Sequence, residues 1–130
     1  MGDAPALDPE DEKMLTLART ARTRAYAPYT GTAQGASVRD TSGRTYAAAT
    51  VEHAETPLTL SALHAAVAAA VASGAREFEV VAVVGEQWTR PPTVDGAVLM
   101  EFGAETVVLL AADDGTLIRR TTAAELAGML

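Results

Sequence analysis

Two uninterrupted apolar runs constrain this chain more than any other feature. Glu79–Gly85 reads EVVAVVG and Thr106–Ala112 reads TVVLLAA. Each has the length of a strand and lacks the polar alternation of a half-solvated one. Each therefore predicts a central strand covered on both faces. Between them, Val94, Val98, Leu99 and Phe102 fall at helical spacing before Gly103. A strand, a helix and a second strand, with both sheet faces needing cover, describe an α/β layered domain.

The flanking elements agree. Residues 1–8 read as a flexible tail. Asp8 before Pro9 predicts a helix start, and Glu10, Asp11 and Glu12 suit the positive end of its dipole. That helix should stop just before Pro28. Asp40-Thr41-Ser42-Gly43 predicts a hairpin turn between strands at Gln34–Arg39 and Arg44–Glu52. A helix capped by Thr59 or Ser61 should run to about Ser73 and end at Gly74. It is apolar almost all round, which predicts burial on more than one side. Trp88–Pro92 reads as a loop, with Trp88 either a lid or interface anchor or a plain packing residue. Thr116–Arg119 predicts a last strand and Thr122–Leu130 a closing helix. The order is α-β-β-α-β-α-β-β-α, and residues 9–130 fit one domain.

Composition narrows the chemistry. Cysteine is absent among the 130 residues, which excludes disulfides, thiolate catalysis and Cys-ligated metal. The only histidines are His53 and His64, so a multi-His metal site is nearly excluded as well. Net charge is −7, without the basic surface a nucleic-acid binder needs. No apolar run reaches membrane-spanning length. The first twelve residues are acidic rather than basic. The expectation is a cytoplasmic protein with no nucleic-acid or membrane partner.

Residues Ala21–Ala36 read ARTRAYAPYTGTAQGA. This stretch resembles the small cytidine deaminases, with the pattern A-R-x-x-A-Y-A-P-Y-S-x-F-x-V-G-A. Asp40–Tyr46 is similar to the hairpin of that family. Thr50-Val51-Glu52-His53-Ala54 sits where it has N-x-E-N-A, and Glu101-Phe102 matches the end of its later helix. The resemblance implies a three-layer α/β/α fold with a mixed five-stranded sheet and helices on both faces. It also implies a homo-oligomer, a tetramer or dimer, and a nucleoside-like small molecule as ligand. Thr32, Thr50, Glu52 and His53 fall on or beside ligand-contacting positions. Thr32 replaces an aromatic, Thr50 and His53 replace Asn, and Glu52 is kept. Glu52 reads either as a retained ligand contact or as a structural carboxylate.

The departures fall on the chemistry. The zinc deaminases hold their metal with Cys or His on two helix N-termini, and a nearby Glu shuttles protons. The resemblance puts those ligand positions on Ser61, Pro92 and Asp95 and the proton shuttle on Leu63. Pro92 has no donor and Leu63 moves no proton. Ser61 and Asp95 read as helix caps or as a remodelled site, and Leu63 as an apolar plug in the former cavity. His64 reads as a buried or interface residue. The expectation is no zinc, no metal site and no catalytic residue. The chain then reads as not an enzyme, acting by assembly or binding, or as a nucleoside sensor with a pocket around Glu52. An alternative is metal-independent chemistry using Glu52, Glu55, His53, His64 or Asp95.

Overall fold

Strand β1 (Gln34–Asp40) lies at the heart of one half of the sheet and accepts partners on both edges. Strand β2 (Thr45–Ala49) and strand β3 (Phe78–Gly85) each pair with it antiparallel. Strand β4 (Val107–Ala111) runs parallel to β3, and β5 (Leu117–Thr122) is antiparallel to β4. The order across the five-stranded mixed sheet is β2-β1-β3-β4-β5. This computed structural model describes residues 7–86 and 92–128. Most of the expected tail, and Trp88 with its loop, lie outside the described residues.

Both faces of the sheet are covered, as the two apolar runs require. On one face, Val81, Val83, Val108 and Leu110 pack against Leu63, Val67, Leu99 and Leu126. These come from α2 (Ala62–Ala72), α3 (Pro92–Met100) and α4 (Ala123–Ala127). On the other face, Val80, Ala82, Val84 and Leu109 meet Met14, Leu15 and Ala18 of α1 (Pro9–Arg22). Alternate residues of β3 and β4 thus feed opposite cores, which explains why neither strand shows a polar face.

One glycine sets how closely α1 sits on the sheet. A Cβ at Gly35 would lie 1.9 Å from the carbonyl oxygen of Ala18 and 2.5 Å from the backbone nitrogen of Arg22. Only hydrogen fits there. The hairpin turn forms as expected. The Asp40 carboxylate accepts from the backbone N–H groups of Ser42 and Arg44, both at 2.9 Å, and from the Ser42 hydroxyl at 2.7 Å. Gly43 supplies the left-handed residue, with φ of 90°.

Three expectations change. Helix α1 ends at Arg22, well before Pro28. The Tyr26 N–H is taken by the Thr50 carbonyl (2.9 Å), and the Tyr26 carbonyl accepts from the Glu52 N–H (2.7 Å). This pairing with a distant segment outweighs continued helix. Strand β2 ends at Ala49 because Thr50 turns back onto Gln34. Helix α2 is buried on one side only: His64, Ala68, Ala69 and Ala72 are exposed. Alanine tolerates both environments, so an Ala-rich helix conceals which face is inward. No helix among the described residues is long and apolar enough to cross a membrane.

Candidate functional site

Four segments meet at one end of the sheet: the start of β1, the end of β3, the loop 29–32 and the N-terminus of α2. In open α/β sheets such a place, beyond the carboxyl end of a strand, is where ligands sit. Here it holds a cavity of about 260 Å³ lined by Tyr29, Thr30, Thr32, Gln34, Thr50, Glu52, His53, Ala54, Thr56, Thr59 and Ser61. All four residues expected to contact ligand, Thr32, Thr50, Glu52 and His53, share this one cavity. Its size lies just below the usual span of ligand pockets, about 300–1,000 Å³, which suits a small molecule.

Glu52 is buried and anchors the loop. Its Oε1 accepts from the N–H groups of Tyr29 (2.7 Å) and Thr30 (3.1 Å), and its Oε2 accepts from the Thr30 hydroxyl. The Thr30 hydroxyl bond is the main cause holding the Glu52 carboxyl below its ordinary range, with the two backbone bonds adding to it; burial works the other way. A carboxylate has about four acceptor positions. Three are occupied, so Glu52 retains one on Oε2 for a ligand hydroxyl. The retained-contact and structural readings of Glu52 are therefore compatible.

Thr50 is committed to the fold. Its Oγ1 accepts from the Gln34 N–H at 3.1 Å. His53 accepts the Glu55 N–H at Nδ1, 2.9 Å. In the neutral ring this places the proton on Nε2, which is then a donor. Asp95 is bonded by Ser61, while the His53 ring bonds the Glu55 N–H.

Ser61 and Asp95, thirty-four positions apart, form a direct bond. The Ser61 hydroxyl donates to Asp95 Oδ1 at 2.8 Å and accepts the His64 N–H at 3.0 Å. Ser61 thus caps α2 and ties it to α3 at once. Asp95 is buried. Leu63 is 1% exposed within the core beneath α2 and takes no part in lining the cavity. His64 is exposed rather than buried. Pro92 starts α3, but its side chain lies outside the described residues.

Gln34 is the site residue that sequence reasoning missed. Its side chain is 7% exposed, lines the cavity and makes no hydrogen bond among the described residues. The available signal was a polar residue where the resembled pattern has Val.

The family model described as cytidine deaminase-like matches residues 7–115. The chain belongs to that family. Among solved structures, a cytidine deaminase from Burkholderia pseudomallei is 30% identical, with 92% of this chain and 96% of that one covered and a TM-score of 0.82. Cytidine deaminases from Mycobacterium tuberculosis and Mycobacterium leprae are 26% and 25% identical, each with 94% of this chain covered and TM-scores of 0.77. They cover 97% and 100% of their own chains, respectively.

These neighbours correct one expectation. The sequence led to a chain that is not an enzyme. The family is cytidine deaminase-like and its solved members named above are cytidine deaminases, which are enzymes, and among the described residues no feature is a positive mark of lost catalysis. The donor set at the resembled metal positions is a separate matter. Zinc requires three or four thiolate, imidazole or carboxylate donors. Ser61 is a neutral hydroxyl already bonded on both sides, and Leu63 carries no proton. Among the described residues no group of three His, Cys, Asp or Glu side chains could hold a metal ion. These residues do not fit a zinc ion at that place.

Proposed function

We propose that this chain binds a nucleoside-like small molecule in the cavity beside Glu52, without a zinc cofactor. One observation carries the reading: the residues assigned to ligand contact by sequence resemblance converge, with Gln34, on a single small polar-rimmed cavity. The solved neighbours act on cytidine by name, and this chain shares their fold over nearly its whole length. A ligand hydroxyl would donate to the remaining position on Glu52 Oε2, and His53 Nε2–H would donate to a ligand oxygen. Calorimetry with cytidine, 2′-deoxycytidine and uridine tests this, with the nucleosides recovered afterwards and weighed for turnover. Saturable binding is expected. A ligand at 100 times its Kd should also add about 2.7 kcal/mol of stability. No heat and no stabilisation with any of the three would refute the reading.

A second observation favours assembly with copies of itself. Tyr26 and Val51 are 56% and 50% exposed, and they pair directly with each other. Clustered large apolar side chains on a surface mark an interface. A homo-oligomer, dimer or tetramer, would cover them. A monomeric mass in solution at micromolar concentration would contradict this.

A further inference from the structure

Of the buried polar residues that line the cavity, Gln34 alone has a side chain with no hydrogen bond among the described residues. Thr50 is bonded to the backbone of Gln34, Ser61 to Asp95 and His64, and Glu52 to the loop 29–30. Gln34 as a residue is 7% exposed, and its side chain makes no hydrogen bond among the described residues. Yet no described side-chain nitrogen or oxygen is both sealed from solvent and unbonded. The carboxamide of Gln34 therefore opens onto the cavity it lines. An amide that faces a small cavity without a protein partner leaves its donor and its acceptor for a ligand to take up.

Its position is built in. Gln34 pairs with Gly85 across β1 and β3. A Cβ at residue 85 would come within 2.6 Å of Gln34 Cγ, so the glycine leaves the room the side chain occupies. The strand start is fixed further by the Thr50 hydroxyl on the Gln34 N–H. The amide is thus held on a sheet rather than on a mobile loop, which favours selectivity.

A primary amide offers one donor and one acceptor side by side. Its match is a planar ligand edge carrying an adjacent acceptor and donor, as in the two-bond pairing of Gln with a nucleobase. We infer that Gln34 is the specificity-determining residue of this cavity and reads the hydrogen-bonding edge of a nucleobase. This rests on the nucleoside reading above and adds which residue selects the base.

Uridine and 3-methyluridine separate the two claims. They differ by a methyl group that removes the N3–H donor and blocks the edge. Wild-type protein should bind uridine about 10- to 100-fold more tightly than 3-methyluridine. In Gln34→Val that ratio should fall close to one, with 3-methyluridine affinity little changed. If wild type binds neither uridine nor cytidine, the nucleoside reading fails and takes this inference with it. If wild type binds both uridines equally, or Gln34→Val keeps the ratio, only the role of Gln34 is overturned. Should the variant not fold, the Gln34 side-chain amide resonances of wild type decide. They should shift on saturation with uridine and far less with 3-methyluridine; unmoved resonances in a saturated complex overturn the inference.

Discussion

Replacing Ser61 with Ala removes two interactions through one oxygen. The first is the helix cap: Oγ accepts the His64 N–H at 3.0 Å, and losing such a cap costs about 0.5–2 kcal/mol. The second is the bond to Asp95 Oδ1 at 2.8 Å, and a hydrogen bond to a carboxylate contributes about 1.5–3 kcal/mol. Asp95 keeps another interaction. The penalty for stranding a buried carboxylate outright, about 3–5 kcal/mol, therefore does not apply in full. The expected loss is about 2–4 kcal/mol. For a domain of this size, about 4 °C per kcal/mol gives a fall in Tm of about 8–15 °C. Denaturant unfolding of wild type, Ser61→Ala, Asp95→Ala and the double variant separates the two contributions. The cycle should give a coupling above about 1 kcal/mol, because the residues share one bond. A loss in Ser61→Ala below about 0.5 kcal/mol, or a coupling of zero, would refute the claim that this pair ties α2 to α3.

Gly35→Ala should cost more than about 3 kcal/mol, since backbone rather than a flexible side chain stands 1.9 Å from the new Cβ; a melting curve like that of wild type would contradict the close docking of α1. Leu63→Ala should cost about 2–5 kcal/mol as a core truncation while leaving nucleoside affinity within about twofold, and a large affinity change would return Leu63 to the cavity. Asp40, Glu52 and Asp114 are all held below the usual carboxylate range, chiefly by the Ser42 hydroxyl, the Thr30 hydroxyl and the Thr116 N–H respectively. Their contribution is present above the unfolded-state pKa, about 4, and is lost as pH falls through the lower folded-state values. Tm should therefore hold down to about pH 5 and drop below about pH 4, less steeply in Glu52→Gln; stability rising on acidification would contradict these bonds. Dialysis against a chelator should leave Tm unchanged, and a fall reversed by zinc would show a donor set that Ser61 and Asp95 do not supply.

Much of the architecture was legible because it rests on local signals. EVVAVVG and TVVLLAA became the parallel central pair β3 and β4, and Asp40–Gly43 became the turn. Ser61 was legible as a cap from its type alone. The resemblance grouped Thr32, Thr50, Glu52 and His53, and all four line one cavity. What was hidden depends on contacts between distant residues. The early end of α1 is set by Tyr26 pairing with Val51. The bond from Ser61 to Asp95 joins two helices, so neither residue announces it. Leu63 follows Ser61 by two positions, yet the turn of the helix sends it into the core. Gln34 was hidden because a polar residue opening a strand looks like an edge, and only the cavity shows that its amide has no partner among the described residues. The residues that fail a zinc site were plain in the sequence. That they made the chain no enzyme did not follow, and membership of a family of deaminases corrects it.

The central claim is that a nucleoside occupies the cavity beside Glu52, and an amide-resolved NMR titration with cytidine and uridine tests it most directly. The account predicts saturable shifts concentrated at Tyr29, Thr30, Gln34, Thr50 and His53, with the Gln34 side chain among the largest. Absence of shifts at millimolar nucleoside, or saturable shifts confined to residues away from this cavity, would contradict it.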